Sequence, residues 1–411
     1  MLDRTFDVAI VGAGPGGSAT AYYLARRGLD VVLLDKADFP RDKTCGDGLT
    51  PRAVSVLRDM GLLDHLLQVG HRTPRLEIVA PMGHSVDSDI PHVGGWPEFT
   101  LVVPRLILDD LLLQRAVGAG ALFQGGTRVL QVATRPDGVT IRGARKDGPV
   151  EVRARVAVVA TGASPTLLTD MGILKHKPAM MIASRAYFED VRGLKDAVYL
   201  TFEGIPLPGY GWVFPTSETS ANIGAGLVRK SWTSRWRKET SSQVFQKFIA
   251  TPTIKAMLDG ARQVGPIKGY PLRMDFARSP TYGRRALLVG EAAGLVNPLT
   301  GEGIDYALES GRLAAEHLAT LFVANDLSEE RLAEYDAILR ERFQRLFVFC
   351  DRVRAICLNP LLLNPLVAIA NYRTDLKMRL IYAVLGLRGA PLESATQPSV
   401  EIENRDRTEG F

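Results

Sequence analysis

The sequence of 411 residues has few cysteines and no apolar stretch that forms a clean membrane-spanning helix. Its three cysteines, Cys45, Cys350 and Cys357, are too few for a disulfide framework and would leave one unpaired. The first residues lead directly into a predicted strand, without the apolar core of a signal peptide. These absences exclude a disulfide-rich secreted domain and predict a cytoplasmic protein with reduced thiols.

Excess charge of one sign is also missing. There are 50 Lys and Arg residues against 45 Asp and Glu, which gives a net charge of +5 without a basic run. This distribution excludes a nucleic-acid-binding protein and favours, at most, weak attraction to an anionic membrane surface. A hydrophobic content of 46% is typical of a well-cored globular protein, and the length predicts two or three subdomains.

A dinucleotide-binding motif begins the chain. The apolar run 8–11 predicts a buried strand, residues 12–17 have the G-x-G-x-x-G spacing, and 18–27 predict a helix. Asp35 follows Gly12 by 23 positions, close to the interval expected for an acid that binds a ribose hydroxyl. The motif does not distinguish FAD from NAD. The cofactor-binding residues predicted in this segment are Gly12, Gly14, Pro15, Gly16, Gly17, Asp35 and Lys36.

Two later glycine turns also follow predicted buried strands. The strand 153–160 ends in Thr161-Gly162, and the strand 285–289 ends in Gly290-Glu291. A third turn, Gly301-Glu-Gly-Ile304, precedes a predicted helix over 307–320, whose N-terminus would favour negative charge.

A cysteine loop and an aromatic strand complete the set of motifs. Cys45 lies in the segment Phe39–Arg52, beside Gly46 and close to the cations Arg41 and Lys43, which favour a thiolate. In the segment 207–215, Tyr210, Trp212 and Phe214 are spaced by two, so on a strand all three side chains share one face.

Together, these segments resemble the geranylgeranyl reductase family of FAD-dependent oxidoreductases over roughly the first four-fifths of the chain. The Cys-Gly-Asp-Gly-Leu-Thr-Pro-Arg form of the cysteine loop is most similar to bacterial members that act on menaquinone side chains. The resemblance implies an FAD-dependent reductase of carbon–carbon double bonds in isoprenoid chains. It adds these predicted FAD-binding residues: Arg41, Cys45, Gly46, Asp47, Gly48, Arg105, Thr161, Gly162, Glu291, Gly301, Gly303 and Ile304.

The resemblance also implies roles in the reaction. Reduced flavin would give a hydride to one alkene carbon, and Cys45 or an ordered water would give a proton to the other. Cys45, Tyr210 and Trp212 are the predicted catalytic residues, and Tyr210, Trp212 and Phe214 the predicted substrate-binding residues; no metal is expected. The electron donor stays open between NAD(P)H and a ferredoxin-type protein, because Thr161-Gly162 departs from the Asp-Gly pair typical of flavin hydroxylases that contact NADPH. No second G-x-G-x-x-G motif stands out, so no dedicated NAD(P)H domain is expected.

The predicted fold class is α/β with an α+β insert: a Rossmann-like FAD-binding domain and an antiparallel substrate sheet, as in the p-hydroxybenzoate hydroxylase-like architecture. Alternating runs at 183–188, 198–202, 211–214 and 221–228 predict the strands of that sheet. The predicted division assigns FAD binding to 1–75, 100–165 and 283–325, substrate binding to 76–99 and 166–282, helices to 326–389, and a disordered tail to 390–411.

The segment 355–372 contains 18 residues without a charge, interrupted by Pro360 and Pro365. Six Lys or Arg and two Asp surround it within 351–390. This composition fits either an interfacial anchor at the inner face of the cell membrane, with contact through 355–390, or a helical cap on the FAD domain.

Two other functions share these motifs. A flavin-dependent monooxygenase or halogenase has the same fold, and halogenases carry a Trp-x-Trp-x-Ile-Pro segment that resembles 210–215. A flavin-binding scaffold without catalysis is the non-enzymatic alternative. Within the reductase hypothesis, menaquinone, geranylgeranyl diphosphate, a (bacterio)chlorophyll tail and an ether-lipid precursor all stay open as the isoprenoid lipid substrate.

Overall fold

A computed structural model describes residues 4–228 and 240–387. The predicted tail 390–411 lies outside the described residues. The described chain alternates between helices and strands, and the helices are α1 (Pro15–Ala25), α2 (Pro51–Asp59), α3 (Leu63–Val69), α4 (Arg105–Gly118), α5 (Thr166–Asp170), α6 (Ser241–Ile249), α7 (Pro252–Met257), α8 (Ile304–Ala324), α9 (Glu329–Leu339), α10 (Arg345–Cys357), α11 (Pro360–Ala370) and α12 (Thr374–Val384).

The strands form three sheets. In chain order they are β1 (Thr5–Val11), β2 (Val31–Leu34), β3 (Gly48–Leu49), β4 (His71–Thr73), β5 (Arg75–Val79), β6 (Ser85–Asp89), β7 (Thr100–Val102), β8 (Leu122–Gln124), β9 (Arg128–Thr134), β10 (Val139–Arg145), β11 (Gly148–Val159), β12 (Met180–Glu189), β13 (Ala197–Thr201), β14 (Tyr210–Pro215), β15 (Ala221–Val228), β16 (Arg262–Arg273), β17 (Tyr282–Gly283) and β18 (Ala286–Leu288).

The eight-stranded sheet includes β1, the strand that leads into the first glycine turn. Strands β18, β11, β1, β2 and β8 are neighbours in this order and pair in parallel, while β9, β10 and β17 add antiparallel pairs. Helix α1 begins at Pro15, three residues before the predicted start, because proline at the first helical position needs no hydrogen-bond partner for an N–H. Helices α1 and α8 pack against each other beside this sheet.

The seven-stranded sheet has the order β16-β12-β15-β14-β13-β5-β6 and is antiparallel except for the pair β13–β5. All four strands predicted from alternation are present as β12 to β15, and β5, β6 and β16 extend them. The early segment 75–89 therefore joins strands that lie more than a hundred residues later in the chain. The predicted mixed α/β fold class is confirmed, whereas the predicted domain boundaries stay a prediction.

The C-terminal helices pack on both sheets. Helices α9 and α10 bury residues such as Tyr335 and Phe347 in the core of the eight-stranded sheet, together with Cys350. Helices α11 and α12 bury Val367 and Ile381 against β5, β6 and β13. Within the described residues, no single helix is long and apolar enough to cross a membrane. The helical segment formed by α9 and α10 reaches that length and composition together with α11, but the two are bent by 107° relative to each other.

Candidate functional site

A cavity of about 710 Å³ lies between the two large sheets. It follows the carboxyl ends of β1 and β11, which is the edge where open α/β sheets bind ligands. Every residue predicted for the cofactor or the substrate lines this cavity except Gly17. An added Cβ at Gly17 would lie 1.8 Å from the Gly12 carbonyl oxygen, so this glycine serves the close packing of α1 on the turn.

The first glycine turn leaves room for an anion. Gly12 has a φ of +106°, and an added Cβ there would lie 2.3 Å from the carbonyl oxygen of Ala160. Gly14, in contrast, has only the Arg41 guanidinium within 4 Å of an added Cβ, at 3.8 Å. The backbone at Gly14, the N-terminus of α1 and Arg41 thus face the same space, which fits a pyrophosphate.

Asp35 ends β2 at the edge of the cavity. Its Oδ2 accepts a hydrogen bond from the Ala13 N–H at 2.7 Å, and its Oδ1 accepts one from the Ala37 N–H at 2.9 Å. Each carboxylate oxygen has a second lone pair. The predicted interaction with a ribose hydroxyl is therefore compatible with the bonds that hold the carboxylate in place, and Lys36 lines the cavity beside it.

A third cation, Arg105, joins Arg41 and Lys43, the two cations that the sequence suggested near Cys45. Arg41 lies 2.9 Å from Asp109 and its guanidinium covers the Phe39 ring, so it is paired elsewhere. Arg105 lines the same cavity as Cys45 and interacts electrostatically with its side chain. Burial alone would lower the pKa of Arg105, but Asp109 and Cys45 together raise it above its usual value. Arg105 is thus a permanently charged partner of the thiol.

Lys43 forms a second positive position in the cavity. Its ammonium group lies 3.9 Å from Glu291 and 4.4 Å from the centre of the Tyr270 ring. Burial lowers the pKa of Lys43, while Glu291 and, more weakly, Cys45 oppose this effect. Glu291 also accepts a hydrogen bond from the main-chain N–H of Arg273 at 3.0 Å. The carboxylate predicted to bind the ribityl chain is therefore held between β16 and the cysteine loop.

The glycines beside Cys45 are required by the aromatic strand. An added Cβ at Gly46 would lie 3.1 Å from the Phe214 ring, and one at Gly48 would lie 3.0 Å from it. Their closest neighbours on the side-chain face are aromatic carbons, so the loop lies directly against β14.

Tyr210, Trp212 and Phe214 share one face of β14, as predicted. Their ring centres are separated by 6.1 Å from Tyr210 to Trp212 and again by 6.1 Å from Trp212 to Phe214. The Tyr210 hydroxyl donates to the Thr300 carbonyl, which joins this wall to the third glycine turn. Burial, with Glu302 and Cys45 nearby, raises the pKa of Tyr210. Aliphatic residues continue the same cavity surface: Leu76, Val198, Leu200, Val384 and Leu385.

Asp47 is the most unusual residue of the cysteine loop. It is fully buried, has a φ of +67°, and accepts hydrogen bonds at Oδ2 from the Tyr187 hydroxyl and from the Asn222 amide. Its Oδ1 has no hydrogen-bond partner among the described residues. Burial raises the pKa of Asp47 to about 6, although Tyr187 and Asn222 act in the opposite direction.

Several residues of the site had no motif to indicate them. Asn222, Tyr187 and Arg185 lie on β15 and β12, and Arg185 binds Asp42 of the cysteine segment at 2.9 Å. The one available signal was Asn222 itself, a polar residue within the otherwise apolar strand 221–228. Tyr187 and Arg185 have no such signal in the sequence, because only tertiary contacts bring them to the site.

The third glycine turn contributes two buried acids that the sequence analysis did not select. Glu302 has an Oε2 without a hydrogen-bond partner among the described residues, and burial and Asp305 raise its pKa well above the usual value. Burial also raises the pKa of Asp305, against the effect of Arg52. Gly301, Gly303 and Ile304 line the cavity at the N-terminus of α8, as predicted. Among the described residues, no cluster of His, Cys, Asp or Glu fits a metal ion.

Comparisons with known proteins agree with this geometry. A family model described as an FAD binding domain matches residues 5–349. A menaquinone reductase from Mycolicibacterium smegmatis is 35% identical over 374 residues, covering 87% of this chain and 86% of the relative. Digeranylgeranylglycerophospholipid reductase 1 from Methanopyrus kandleri is 31% identical over 353 residues, covering 83% of this chain and 88% of the relative.

Among solved structures, a geranylgeranyl bacteriochlorophyll reductase-like protein from Thermoplasma acidophilum superposes with a TM-score of 0.80. It is 24% identical, and the match covers 92% of this chain and 96% of the other. Flavin-dependent halogenases have the same fold at lower identity. At these identities the structural likeness shows the fold alone.

Proposed function

This chain belongs to the FAD-binding flavoprotein family, and from that premise we propose that it reduces carbon–carbon double bonds in the isoprenoid chain of a lipid such as menaquinone. The predicted cofactor, FAD, and the class of FAD-dependent oxidoreductase are confirmed by the family match and the named relatives. One observation carries the proposal: a single cavity joins the dinucleotide cradle, the Cys45 loop and the aromatic wall.

The walls of the cavity suit an isoprenoid. Tyr210, Trp212 and Phe214 form one side, and α12 contributes Val384 and Leu385. Burying apolar surface contributes about 25 cal/mol per Å², so a prenyl chain gains affinity along this wall without specific polar contacts. A menaquinone, a prenyl diphosphate and an ether lipid differ mainly in their polar ends, which the wall does not distinguish.

The polar residues of the cavity suit FAD. Gly14, the N-terminus of α1 and Arg41 would hold the pyrophosphate, and Asp35 would bind the adenosine ribose. Glu291 would bind the ribityl hydroxyls, while the N-terminus of α8 at Ile304 would favour negative charge on the ring system. Bound FAD supplies hydride chemistry, for which the protein provides orientation and a dry environment.

The second hydrogen of a saturated bond must come from a proton held by the protein. An isolated alkene has no carbonyl group to stabilise charge, so the proton donor must lie close to the reacting carbon. Cys45 lines the cavity, and the Arg105 guanidinium interacts electrostatically with its side chain. We assign the proton-donating role to Cys45, directly or through a water molecule, and leave the electron donor as NAD(P)H or a ferredoxin-type protein.

The halogenase alternative has less support from this cavity. Such enzymes need a reactive lysine. Lys43 lines the cavity, but its ammonium group is already engaged, because it lies beside Glu291 and over the Tyr270 ring. An oxygen-consuming reaction that gives hydroxylated or halogenated product would establish the alternative.

A decisive assay uses the FAD-loaded protein, reduced with dithionite under anaerobic conditions. It is incubated separately with menaquinone, geranylgeranyl diphosphate and an unsaturated archaeal-type diether lipid. The masses of the products are then measured by mass spectrometry. We expect at least one lipid to gain two hydrogens for each reduced bond. Cys45→Ala should abolish this gain with FAD still bound, whereas Cys357→Ala, at the far end of α10, should not. Unchanged lipids in every arm would reject the function.

We also propose that the surface formed by α10 and α11 touches an anionic membrane from which the lipid substrate enters. Large apolar side chains are exposed there, namely Ile356 (61%), Leu361 (83%), Leu362 (48%), Ile369 (51%) and Tyr372 (90%). Arg352 and Arg379 are exposed at its borders. Apolar side chains with a cationic border match a bilayer surface with negative lipids.

A further inference from the structure

Asn222 connects the two sides of the cavity through one amide group. Its Oδ1 accepts a hydrogen bond from the Trp212 indole Nε1 at 3.0 Å. Its Nδ2 donates to the main-chain carbonyl oxygen of Cys45 and to Oδ2 of Asp47, each at 2.8 Å. The side chain is fully buried, so water does not compete for any of these three bonds.

We infer that Asn222 is a positioning residue, which fixes the Cys45 loop at a set distance from the aromatic wall and so holds Cys45 and Trp212 in register around the substrate. The expected effect on catalytic activity rests on the proposed function, whereas the expected effect on the position of the loop does not. The contact between loop and wall exists independently of any substrate.

The part of the loop that follows Cys45 needs such a connection because two of its next three residues are glycines. Gly46 and Gly48 lie against the Phe214 ring and have no side chain with which to grip it. Asp47 has a positive φ of +67°, a conformation that a residue other than glycine adopts only when its surroundings hold it. The bonds from Tyr187 and Asn222 to its carboxylate provide that hold.

An amide is the side-chain group that suits this place. It accepts from the indole N–H on one side and donates two hydrogens on the other. Aspartate at position 222 would keep the acceptor for Trp212, but it would lose both donors and place a second carboxylate beside Asp47. Leucine would have a similar volume and form none of the three bonds. Phenylalanine at position 212 would remove the indole bond and part of the ring, but leave both bonds that Asn222 donates.

The test compares Asn222→Leu, Asn222→Asp, Trp212→Phe and the double variant Trp212→Phe/Asn222→Leu with a matched control, Asn364→Leu. Asn364 is also buried, and it also bridges two segments, since it accepts from the Met82 N–H at 3.0 Å and donates to the Pro360 carbonyl oxygen at 2.9 Å. It does not line the cavity. All variants are studied as full-length, FAD-loaded protein with melting temperatures recorded.

Two readouts are taken. The first is kcat and KM for the lipid that the wild-type protein reduces; the second is the rate at which N-ethylmaleimide labels Cys45, quantified by peptide mass spectrometry. We expect Asn222→Leu to lower kcat by about 100-fold with a much smaller change in KM, as misplacement by about 1 Å does. Labelling should accelerate about fivefold to tenfold, because a net hydrogen bond no longer opposes loop opening.

The remaining variants test the separate hydrogen bonds of Asn222. Asn222→Asp should accelerate labelling as Asn222→Leu does, because both lack the donor to Cys45. Trp212→Phe should change labelling less, and in the double variant the effects of the two substitutions should not multiply, since they interrupt one chain of bonds. Asn364→Leu should lower the melting temperature without changing kcat or labelling.

The inference is overturned if Asn222→Leu and Asn222→Asp both behave as Asn364→Leu does, with lower stability but unchanged labelling and kcat. Failure of the proposed function is a separate outcome. In that case the wild-type protein reduces none of the lipids, yet the labelling rates still distinguish Asn222 from Asn364 and decide whether the loop is positioned by the amide.

Discussion

The guanidinium group of Arg105 binds both carboxylate oxygens of Asp109, one turn further along α4, at 2.6 and 2.7 Å. Asp109 is fully buried and also lies 2.9 Å from Arg41. One carboxylate therefore holds two cations that line the cavity, and the fork of Arg105 is the geometry that a bidentate pair requires.

Replacing Arg105 by lysine should destabilise the protein, because an ammonium group keeps the charge but cannot form the forked pair or reach Cys45 in the same geometry. We expect the free energy of unfolding to fall by about 1–3 kcal/mol and FAD to bind more weakly. Urea unfolding and flavin fluorescence measure the two effects. The matched control is Arg75→Lys at the half-exposed pair with Asp87, where the change should stay within about 0.5 kcal/mol. Equal effects at both positions would contradict the structural role of the fork.

Gly224 should tolerate no side chain, because an added Cβ would lie 2.1 Å from the Trp212 ring. We expect Gly224→Ala to displace Trp212, lower the free energy of unfolding by about 1–3 kcal/mol and reduce lipid reduction. Gly118→Ala is the control, since nothing lies within 4 Å of an added Cβ there and the position is helical. That change should be neutral or stabilising by up to about 1 kcal/mol. Thermal unfolding measures the stability of both variants, and indole fluorescence measures displacement of Trp212. An unchanged Trp212 environment in Gly224→Ala would be evidence against the packing described.

Asp47 should give the protein an unusual dependence on pH. Its pKa is raised to about 6 in the folded state from 3.8, so the folded state binds the proton more tightly than the unfolded state does. The stability from this residue is therefore complete below about pH 3.8 and is lost as the pH rises to about 6.

Asp47→Asn removes this dependence. Relative to the wild-type protein, the free energy of unfolding of the variant should rise by about 3 kcal/mol in total between about pH 3 and pH 7 and stay constant above. Urea unfolding at a series of pH values provides the measurement. Glu309→Gln should show the opposite trend: burial would raise the pKa of Glu309, but Arg52 and Arg342 lower it overall, so its stabilising effect is lost on acidification. A flat difference curve for Asp47→Asn would show that the carboxylate is not protonated in this range.

The surface of α11 should decide membrane binding. Leu361 and Leu362 are exposed by 83% and 48%. Replacing both by glutamate should abolish co-sedimentation with vesicles that contain anionic lipid, because it removes apolar contact and adds repulsion. Leu130, which is 59% exposed on β9, provides a control position where glutamate should have no effect. Binding to neutral vesicles should be weaker throughout, and loss of binding in the Leu130 variant as well would argue against a localised surface.

Much of the site could be predicted because each motif acts through its own segment. The glycines of the first turn, the Thr161-Gly162 turn and the alternation of Tyr210, Trp212 and Phe214 lie where their local patterns indicate. Gly17 is instructive, since the same motif that correctly predicts the turn also suggests contact with the cofactor, whereas its neighbour is the Gly12 carbonyl. The pattern specifies the backbone conformation but not which face of it reaches the cavity.

The environment of Cys45 shows the opposite case. The nearby sequence suggested Arg41 and Lys43 as its cationic neighbours; Lys43 and Arg105 both interact electrostatically with it, while Arg41 pairs with Asp109. Proximity in sequence did not indicate Arg105, because this residue is distant along the chain, at the start of α4.

What the amino-acid sequence determined alone is therefore local: the glycine turns, the strand that aligns three aromatic rings, and the resemblance that follows from them. What only the tertiary structure decided is which distant groups meet. Asn222 bonds the carbonyl of Cys45 across 177 positions of sequence, and Arg52 binds Glu309 across 257. Hydrogen bonds of this kind depend on how two sheets and a helix are placed in space, and periodicity within one segment carries no information about that placement.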